Sequence, residues 1–179
     1  MKGRLIYLIG PSGSGKDTVL DAARDALTER GVRVAKRVIT RSAEAVGESA
    51  DAVSPEAFEE LERGDAFAMS WRANGLAYGI PAQINHWLAA GDDVLVNGSR
   101  GYLPEARQCY PDMLVVLLSV RPEVLRQRLL KRNRESLEQI EARLARNARF
   151  EDSLDELFLV DNSGDLNESV NKLLRIIDR

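Results

Sequence analysis

Residues 10–18, Gly10-Pro11-Ser12-Gly13-Ser14-Gly15-Lys16-Asp17-Thr18, hold the most specific chemistry in the chain. They follow the apolar run Leu5-Ile6-Tyr7-Leu8-Ile9 and precede a helical pattern beginning near Thr18. Strand, glycine-rich turn and helix, with the spacing G-x-x-x-x-G-K, is the setting of a phosphate-binding loop. The glycines let the backbone curl until successive N–H groups converge on an anion. The helix N-terminus adds its positive dipole end. Lys16 supplies an ammonium for the β- and γ-phosphates of a nucleotide such as ATP. After the lysine, a Ser or Thr hydroxyl ordinarily meets Mg²⁺. Here Asp17 stands in that place and Thr18 comes one residue later. A carboxylate is a good hard ligand for Mg²⁺, so Asp17 is the candidate metal residue. Asp is also favoured at helix starts, which leaves a capping role open, with Thr18 or water at the metal.

A second concentration of charge runs from Arg126 to Arg149. It comprises Arg126, Arg128, Lys131, Arg132, Arg134, Arg143, Arg146 and Arg149. The run Arg132-Asn133-Arg134-Glu135-Ser136 interrupts a helical pattern that opens at Pro122, and a second helix is expected from about Leu137 to Phe150. A helix, basic turn and helix beside a phosphate loop suggests a lid that closes over phosphates. Arg132, Arg134, Arg143 and Arg146 are the expected phosphate contacts. Arg126, Lys131 and Arg149 are expected on a solvated face, balanced by Glu135, Glu138 and Glu141.

These residues need a scaffold, and the hydrophobic pattern supplies one. Apolar runs alternate with helical patterns, which predicts an α/β fold of the P-loop NTPase type, a mostly parallel sheet flanked by helices. The first helix should stop at Gly31. Residues 32–38 alternate apolar and basic and are expected to form one strand that delivers Thr40-Arg41 to its end. Ser42 to Val53 is polar and expected to be irregular. Ser54-Pro55 opens a short helix ending at Gly64. A strand over residues 67–71 leads to the turn signal Asn74-Gly75, and Leu76-Ala77-Tyr78-Gly79 returns from it. Pro81 is expected to open a helix through Trp87 that ends at Gly91. Val94-Leu95-Val96 is a buried parallel strand running into Asn97-Gly98-Ser99-Arg100-Gly101. Ligands in open α/β sheets gather at the carboxyl ends of strands, so those polar residues are candidates for substrate, against the alternative of a plain turn. The middle strand has no acid at its carboxyl end; Asp92 and Asp93 lie at the other end. Met113 to Val120 reads as a strand, as does Leu157 to Val160, and Leu166 to Ile177 reads as a final helix.

Composition narrows the function classes. The 179 residues suit one domain with a full core, at 44% hydrophobic and 30% charged. The net charge of -3 gives no sign of bulk nucleic-acid binding. No apolar run approaches a membrane span, and the chain enters its first strand almost at once, so neither a membrane anchor nor a leader is expected and the cytoplasm is the expected compartment. Cys109 and His86 are each the sole residue of their kind. That leaves no basis for an intramolecular disulfide or a cysteine-based metal cluster. His86, beside Trp87 in an expected helix, reads as a helix-surface residue.

The order of phosphate loop, Thr-Arg after the second strand, Tyr-Gly turn, and basic lid ending in Arg143-Leu144-Ala145-Arg146 resembles the guanylate kinase family over nearly the whole chain. The resemblance implies a P-loop core, an acceptor-binding region at about 40–78 and a lid at about 132–143, in a single kinase domain. The departures are equally specific. Guanylate kinases carry a second arginine soon after Thr-Arg; here Ser42-Ala43-Glu44 follows Arg41. They place a carboxylate before the Tyr-Gly turn to read guanine; here the stretch is Ser70-Trp71-Arg72-Ala73-Asn74-Gly75. Tyr78-Gly79 is followed by Ile80-Pro81 rather than Thr or Ser. The loop after the middle strand is Asn97-Gly98-Ser99-Arg100-Gly101, without the family's Asp. Together with GPSGSGKD, these strings resemble a related family, the ribose 1,5-bisphosphate phosphokinases of bacterial phosphonate catabolism.

That resemblance implies transfer of a phosphoryl group from Mg-ATP to ribose 1,5-bisphosphate. It implies Lys16, Arg134 and Arg143 as catalytic cations, with residues 10–18, Arg132 and Arg146 around ATP. Arg41, Arg72 and Arg100 are candidates for the acceptor's two phosphates, because a planar guanidinium binds phosphate bidentately. Thr40, Tyr78, Asn97 and Ser99 complete the acceptor set. Asn162-Ser163, after the last strand, is either an adenine contact or a plain loop. Two other functions remain open at this point: a nucleoside-monophosphate kinase, and a guanylate-kinase-like interaction module without catalysis. The intact phosphate loop and the lid arginines argue against the module.

Overall fold

The computed structural model describes residues 2–11, 13–40, 50–153 and 157–179, with backbone alone at 151–153. The elements, in order, are β1 (Leu5–Ile9), α1 (Lys16–Glu29), β2 (Arg33–Val34), β3 (Arg37–Ile39), β4 (Ala50–Ala52), α2 (Pro55–Arg63), β5 (Phe67–Ala73), β6 (Leu76–Pro81), α3 (Gln83–Ala89), β7 (Val94–Asn97), α4 (Leu103–Cys109), β8 (Leu114–Ser119), α5 (Pro122–Arg132), α6 (Leu137–Ser153), β9 (Phe158–Asp161) and α7 (Leu166–Ile177). One sheet has the strand order β2-β7-β1-β8-β9, with β2 parallel to β7 and β8 parallel to β9. The other has the order β4-β3-β6-β5 and is mixed: β3 is parallel to β4 and antiparallel to β6, which is antiparallel to β5.

The fold is the expected α/β P-loop architecture, with several local differences. The single strand expected over 32–38 is two strands in two sheets. Arg33 and Val34 pair with β7, while Arg37 to Ile39 pair with β4 and β6. Alternation along the chain looks the same in one strand or two; the pairing partners make the break. Residues 50–52, expected to be irregular, form the edge strand β4. Pro81 ends β6 opposite Phe67 instead of opening a helix, and α3 starts at Gln83. A fixed φ near −65° suits a strand end as well as a helix start. Helix α4 was not anticipated.

Other signals act locally, and the first two appear where expected. The Ser54 side chain accepts from the Ala57 N–H, with Pro55 following in the first turn of α2. Asn74 and Gly75 have φ of 54° and 75°, the twin positive values of a tight hairpin turn. Ser136 and Gln139 cap α6 reciprocally: the Gln139 N–H donates to Ser136 Oγ at 3.2 Å, and the Ser136 N–H donates to Gln139 Oε1 at 2.8 Å.

The contacts divide the chain into two compact units, Met1–Tyr7 with Arg24–Leu114, and Leu8–Ala23 with Val115–Arg179. In the first, Val38, Phe58 and Ala77 form a small core where α2 meets the mixed sheet. In the second, Val120, Leu125, Leu129, Ile140 and Leu144 join α5 to α6. Burial of such side chains, worth about 1.5–3 kcal/mol each, holds the helix pair together.

Candidate functional site

In the second unit the loop between β1 and α1 has the form of an anion nest. Gly13 and Gly15 have φ of 87° and 84°. Side chains there would meet both strain and neighbours: a Cβ on Gly13 would come within 3.0 Å of Leu125 Cδ1, and one on Gly15 within 2.6 Å of Asn162 Nδ2. Lys16 opens α1 and is half-buried, while Asp17 and Thr18 are exposed in the first turn. Ser14 is 1% exposed, and its hydroxyl has no hydrogen-bond partner among the described residues. Leaving a buried hydroxyl unpaired is costly, and a phosphate oxygen in the nest would relieve it. Ser12 lies outside the described residues.

When N–H groups turn inward to an anion, the carbonyls turn outward and need donors of their own. The structure supplies two that the sequence did not reveal. Asn162 Nδ2 donates to the Ser14 carbonyl at 2.6 Å. Arg128 Nη1 lies 3.5 Å from the carbonyls of both Gly13 and Ser14, and its Nη2 donates to the Asn162 carbonyl at 2.8 Å. The Asn162 Oδ1 accepts from Ser169 Oγ at 2.6 Å, and its N–H donates to the Ser119 carbonyl at 2.7 Å. Asn162 is thus a buried post under the loop, its side-chain amide engaged by Ser14 and Ser169. Ser163 is engaged as well, accepting from the Arg121 N–H and donating to Asp161.

The basic helix pair is sorted by its neighbours. Arg132 Nη1 would lie 3.7 Å from a Cβ on Gly13, which brings this guanidinium to the phosphate loop. Arg143 is half-buried and pairs with Glu135 at 2.9 and 3.3 Å. Arg134 and Arg146 are exposed. Arg126 pairs with Glu141 across the two helices, as the charge-balanced face requires.

In the first unit the mixed sheet separates the acceptor candidates onto opposite faces. Trp71 lies opposite Tyr78 and their rings stack at 5.7 Å; Trp71 also stacks on Tyr102 at 5.4 Å. Tyr78 therefore faces away from α2. Arg72, one residue along, points to the α2 side. It lies over the Phe58 ring at 5.0 Å and makes two hydrogen bonds to Glu62, at 2.9 and 2.8 Å. Those bonds hold the Glu62 carboxyl at a pKa of about 2. Thr40 is on that side too: with Arg72, Phe58 and Glu59 it lines a pocket of about 340 Å³, and its Oγ1 accepts from the Ala77 N–H at 2.8 Å. The structure does not bring Arg72 and Thr40 together with Tyr78. Arg41 lies outside the described residues.

The loop after β7 is tied to Tyr7. Its hydroxyl donates to the Ser99 carbonyl at 2.7 Å and accepts from the Ser99 N–H at 2.9 Å. Burial raises the Tyr7 pKa, so the phenol stays protonated and able to donate. Gly98 packs on the same ring: a Cβ there would come within 2.2 Å of Tyr7 Cζ. Asn97 is buried at the end of β7, and Ser99 and Arg100 are half-buried. Asp93 pairs with Arg4 at 2.8 Å and Asp92 with Arg33 at 3.0 Å, so both acids before β7 are held by arginines.

Comparison with known proteins places this geometry. No family model matches the chain. The ribose 1,5-bisphosphate phosphokinase PhnN of Pseudomonas paraeruginosa is 69% identical over 97% of this chain and 95% of that protein. Its namesakes in Pseudomonas fluorescens and Azotobacter vinelandii are 62% and 58% identical, each over 99% of this chain and 96% and 97% of the relative. The chain belongs to the ribose 1,5-bisphosphate phosphokinase family. Among solved structures, a guanylate kinase from Anaplasma phagocytophilum matches with a TM-score of 0.75 at 18% identity, covering 99% of this chain and 85% of that one. A sugar kinase from Janibacter matches with a TM-score of 0.54 at 19% identity, covering 98% and 95%. At those identities the likeness is one of fold, and the fold is that of the guanylate kinases.

Among the described residues no three His, Cys, Asp or Glu side chains group to hold an ion. A Mg²⁺ ion here would draw on Asp17, nucleotide phosphates and water, which suits its habit of keeping several waters. When bound, it would neutralise phosphate charge. Asp17→Ala is therefore expected to raise the Mg²⁺ concentration giving half-maximal rate severalfold. A magnesium titration at saturating ATP checks this; an unchanged curve would leave Asp17 as a residue of the α1 first turn only. His86 is exposed on α3, in keeping with a surface role. Among the described residues no helix is long and apolar enough to cross a membrane.

Proposed function

We propose that this chain transfers the γ-phosphoryl group of ATP to the 1-phosphate of ribose 1,5-bisphosphate, giving 5-phosphoribosyl 1-diphosphate and ADP. The observation that carries the acceptor assignment is the makeup of the Tyr78 face. Its described strand residues include the guanidinium of Arg37 and no carboxylate, while Glu62 lies on the α2 side with Arg72. A face that must read guanine needs an acceptor for the base's N–H groups; a face that receives a sugar bisphosphate needs cations.

The chemistry asks little of the protein beyond placement and charge. A phosphate monoester has a second pKa near 6, so the attacking oxygen is largely ionised at neutral pH. No general base is needed, and the single histidine is no obstacle. The nest of residues 10–15 holds the nucleotide phosphates, and Lys16 neutralises charge on the transferring group. Arg128 and Asn162 keep the nest in shape by satisfying its outward carbonyls. Arg132 is positioned at the loop, and Arg134, Arg143 and Arg146 supply further positive charge when the helix pair closes; for Arg143 this means exchanging Glu135 for phosphate. On the acceptor side, Asn97 ends β7, and Ser99 and Arg100 lie on the loop that Tyr7 anchors.

The direct test is phosphorus NMR of the product from Mg-ATP and ribose 1,5-bisphosphate. The expected spectrum gains the two coupled resonances of a diphosphate ester beside an unchanged 5-phosphate monoester. ATP hydrolysis without that product would overturn the assignment, and turnover with nucleoside monophosphates alone would restore the nucleotide-kinase alternative.

A further inference from the structure

Trp71 reads in the sequence as one residue of a short strand. In the structure its indole is the middle ring of an aromatic stack. It sits opposite Tyr78 in the register of β5 and β6, with ring centroids 5.7 Å apart and planes 9° from parallel. Tyr102 stacks on it as well, at 5.4 Å and 27°, and the Ser70 backbone hydrogen-bonds the Tyr102 hydroxyl. The strand β5 is the last of its sheet, so Tyr78 meets the indole from the inner neighbour β6. Tyr102 is the residue that directly follows the Asn97–Gly101 loop. The two phenols therefore belong to the elements that carry the acceptor candidates Tyr78, Asn97, Ser99 and Arg100. Trp71 is 9% exposed, and the next register pair on the same face, Met69 and Ile80, is apolar and fully buried.

We infer that the Trp71 indole takes the place in which a purine would otherwise stack, and so is the residue that excludes purine nucleotides as a class from the acceptor site. This rests on the acceptor assignment proposed above. Indole and purine are flat fused bicycles of nearly the same outline, and near-parallel, offset stacking is how an aromatic side chain holds a base. A chain that stacks its own bicycle on Tyr78 leaves a nucleobase no such surface there, while a ribose needs none. The indole is tethered to the strand and loses no translational freedom on stacking, so a free nucleotide competes with it at a disadvantage. The absent carboxylate discriminates against guanine alone; an occupied stacking place discriminates against adenine too. Met69 and Ile80 carry no group that would read a base edge, so the slot left by removing the indole should take both purines alike.

The experiment uses the full chain with its donor site saturated by Mg²⁺ and a non-hydrolysable ATP analogue, so that added nucleotides report the acceptor site. Wild type, Trp71→Ala and Trp71→Phe are titrated by calorimetry with GMP, AMP and CMP, with thermal melting alongside. In Trp71→Ala, Kd for GMP and for AMP should fall at least about tenfold, the size of a stacking contact. For CMP, whose single ring overlaps less, it should fall less. Trp71→Phe keeps a ring in the stack and should lie between wild type and Trp71→Ala. Free indole should refill the slot and reverse the gain in Trp71→Ala while leaving wild type unaffected, a reversal that a merely structural role would not produce. No gain for either purine in folded Trp71→Ala, an equal gain for CMP, or a gain that indole leaves untouched would overturn the inference. If Trp71→Ala does not hold its fold at the assay temperature, Trp71→Val is held to the same outcomes, since it vacates the stack with a residue that suits a strand. Failure of wild-type enzyme to turn over ribose 1,5-bisphosphate would instead overturn the acceptor assignment, and it is read from turnover, apart from these titrations.

Discussion

Lys16→Ala is expected to lower kcat by roughly two to three orders of magnitude while the protein stays folded. Lys16 is the first residue of α1 and half-buried beside the nest formed by Gly13 and Gly15. As the γ-phosphoryl group passes between two anions, charge gathers on its oxygens, and a fixed ammonium stabilises that arrangement more than the ground state. Alanine is a strong helix former, so the substitution leaves α1 intact. The nest would still bind nucleotide through its backbone N–H groups, so ATP affinity should fall much less than turnover. Single-turnover rates at saturating ATP, with circular dichroism to verify folding, make the measurement. Near wild-type turnover in a folded variant would contradict phosphoryl transfer at this loop.

The second large effect concerns the acceptor. With Mg-ATP, kcat/KM for ribose 1,5-bisphosphate should exceed that for GMP by at least about a hundredfold, the size of gap that unmatched polar groups produce. Burying guanine would leave its N–H donors without a carboxylate partner among the described strand residues of the Tyr78 face. Trp71 adds to the discrimination. It is 9% exposed, held between the rings of Tyr78 and Tyr102, and forms a stacked aromatic wall rather than an open slot. Ile80, fully buried, shares the direction of Tyr78 along β6. Equal efficiency, or preference for GMP, would favour an ordinary guanylate kinase.

What the sequence determined by itself is what short-range chemistry dictates. Gly13 and Gly15 announce a nest because few other residues adopt their backbone angles, and Lys16 follows at a spacing set by the turn itself. Ser54-Pro55 starts α2, Asn74-Gly75 turns β5 into β6, and Asn133 ends α5 in a left-handed conformation, each through its own few atoms. The missing carboxylate before Tyr78 was legible for the same reason: it is a fact of composition. The tertiary structure alone decided which distant groups meet. Alternation over residues 32–38 could not tell one strand from two, because only the partners β7 and β6 pull Arg33 and Arg37 into different sheets. It could not place Arg72 and Arg37 on opposite faces, because one residue of register reverses a side chain's direction. Nor could it show that Arg128 and Asn162, more than a hundred positions from Ser14, supply donors to the outward carbonyls of the phosphate loop. Local backbone preference makes the loop possible; its unsatisfied outer face takes partners that only the folded chain brings near.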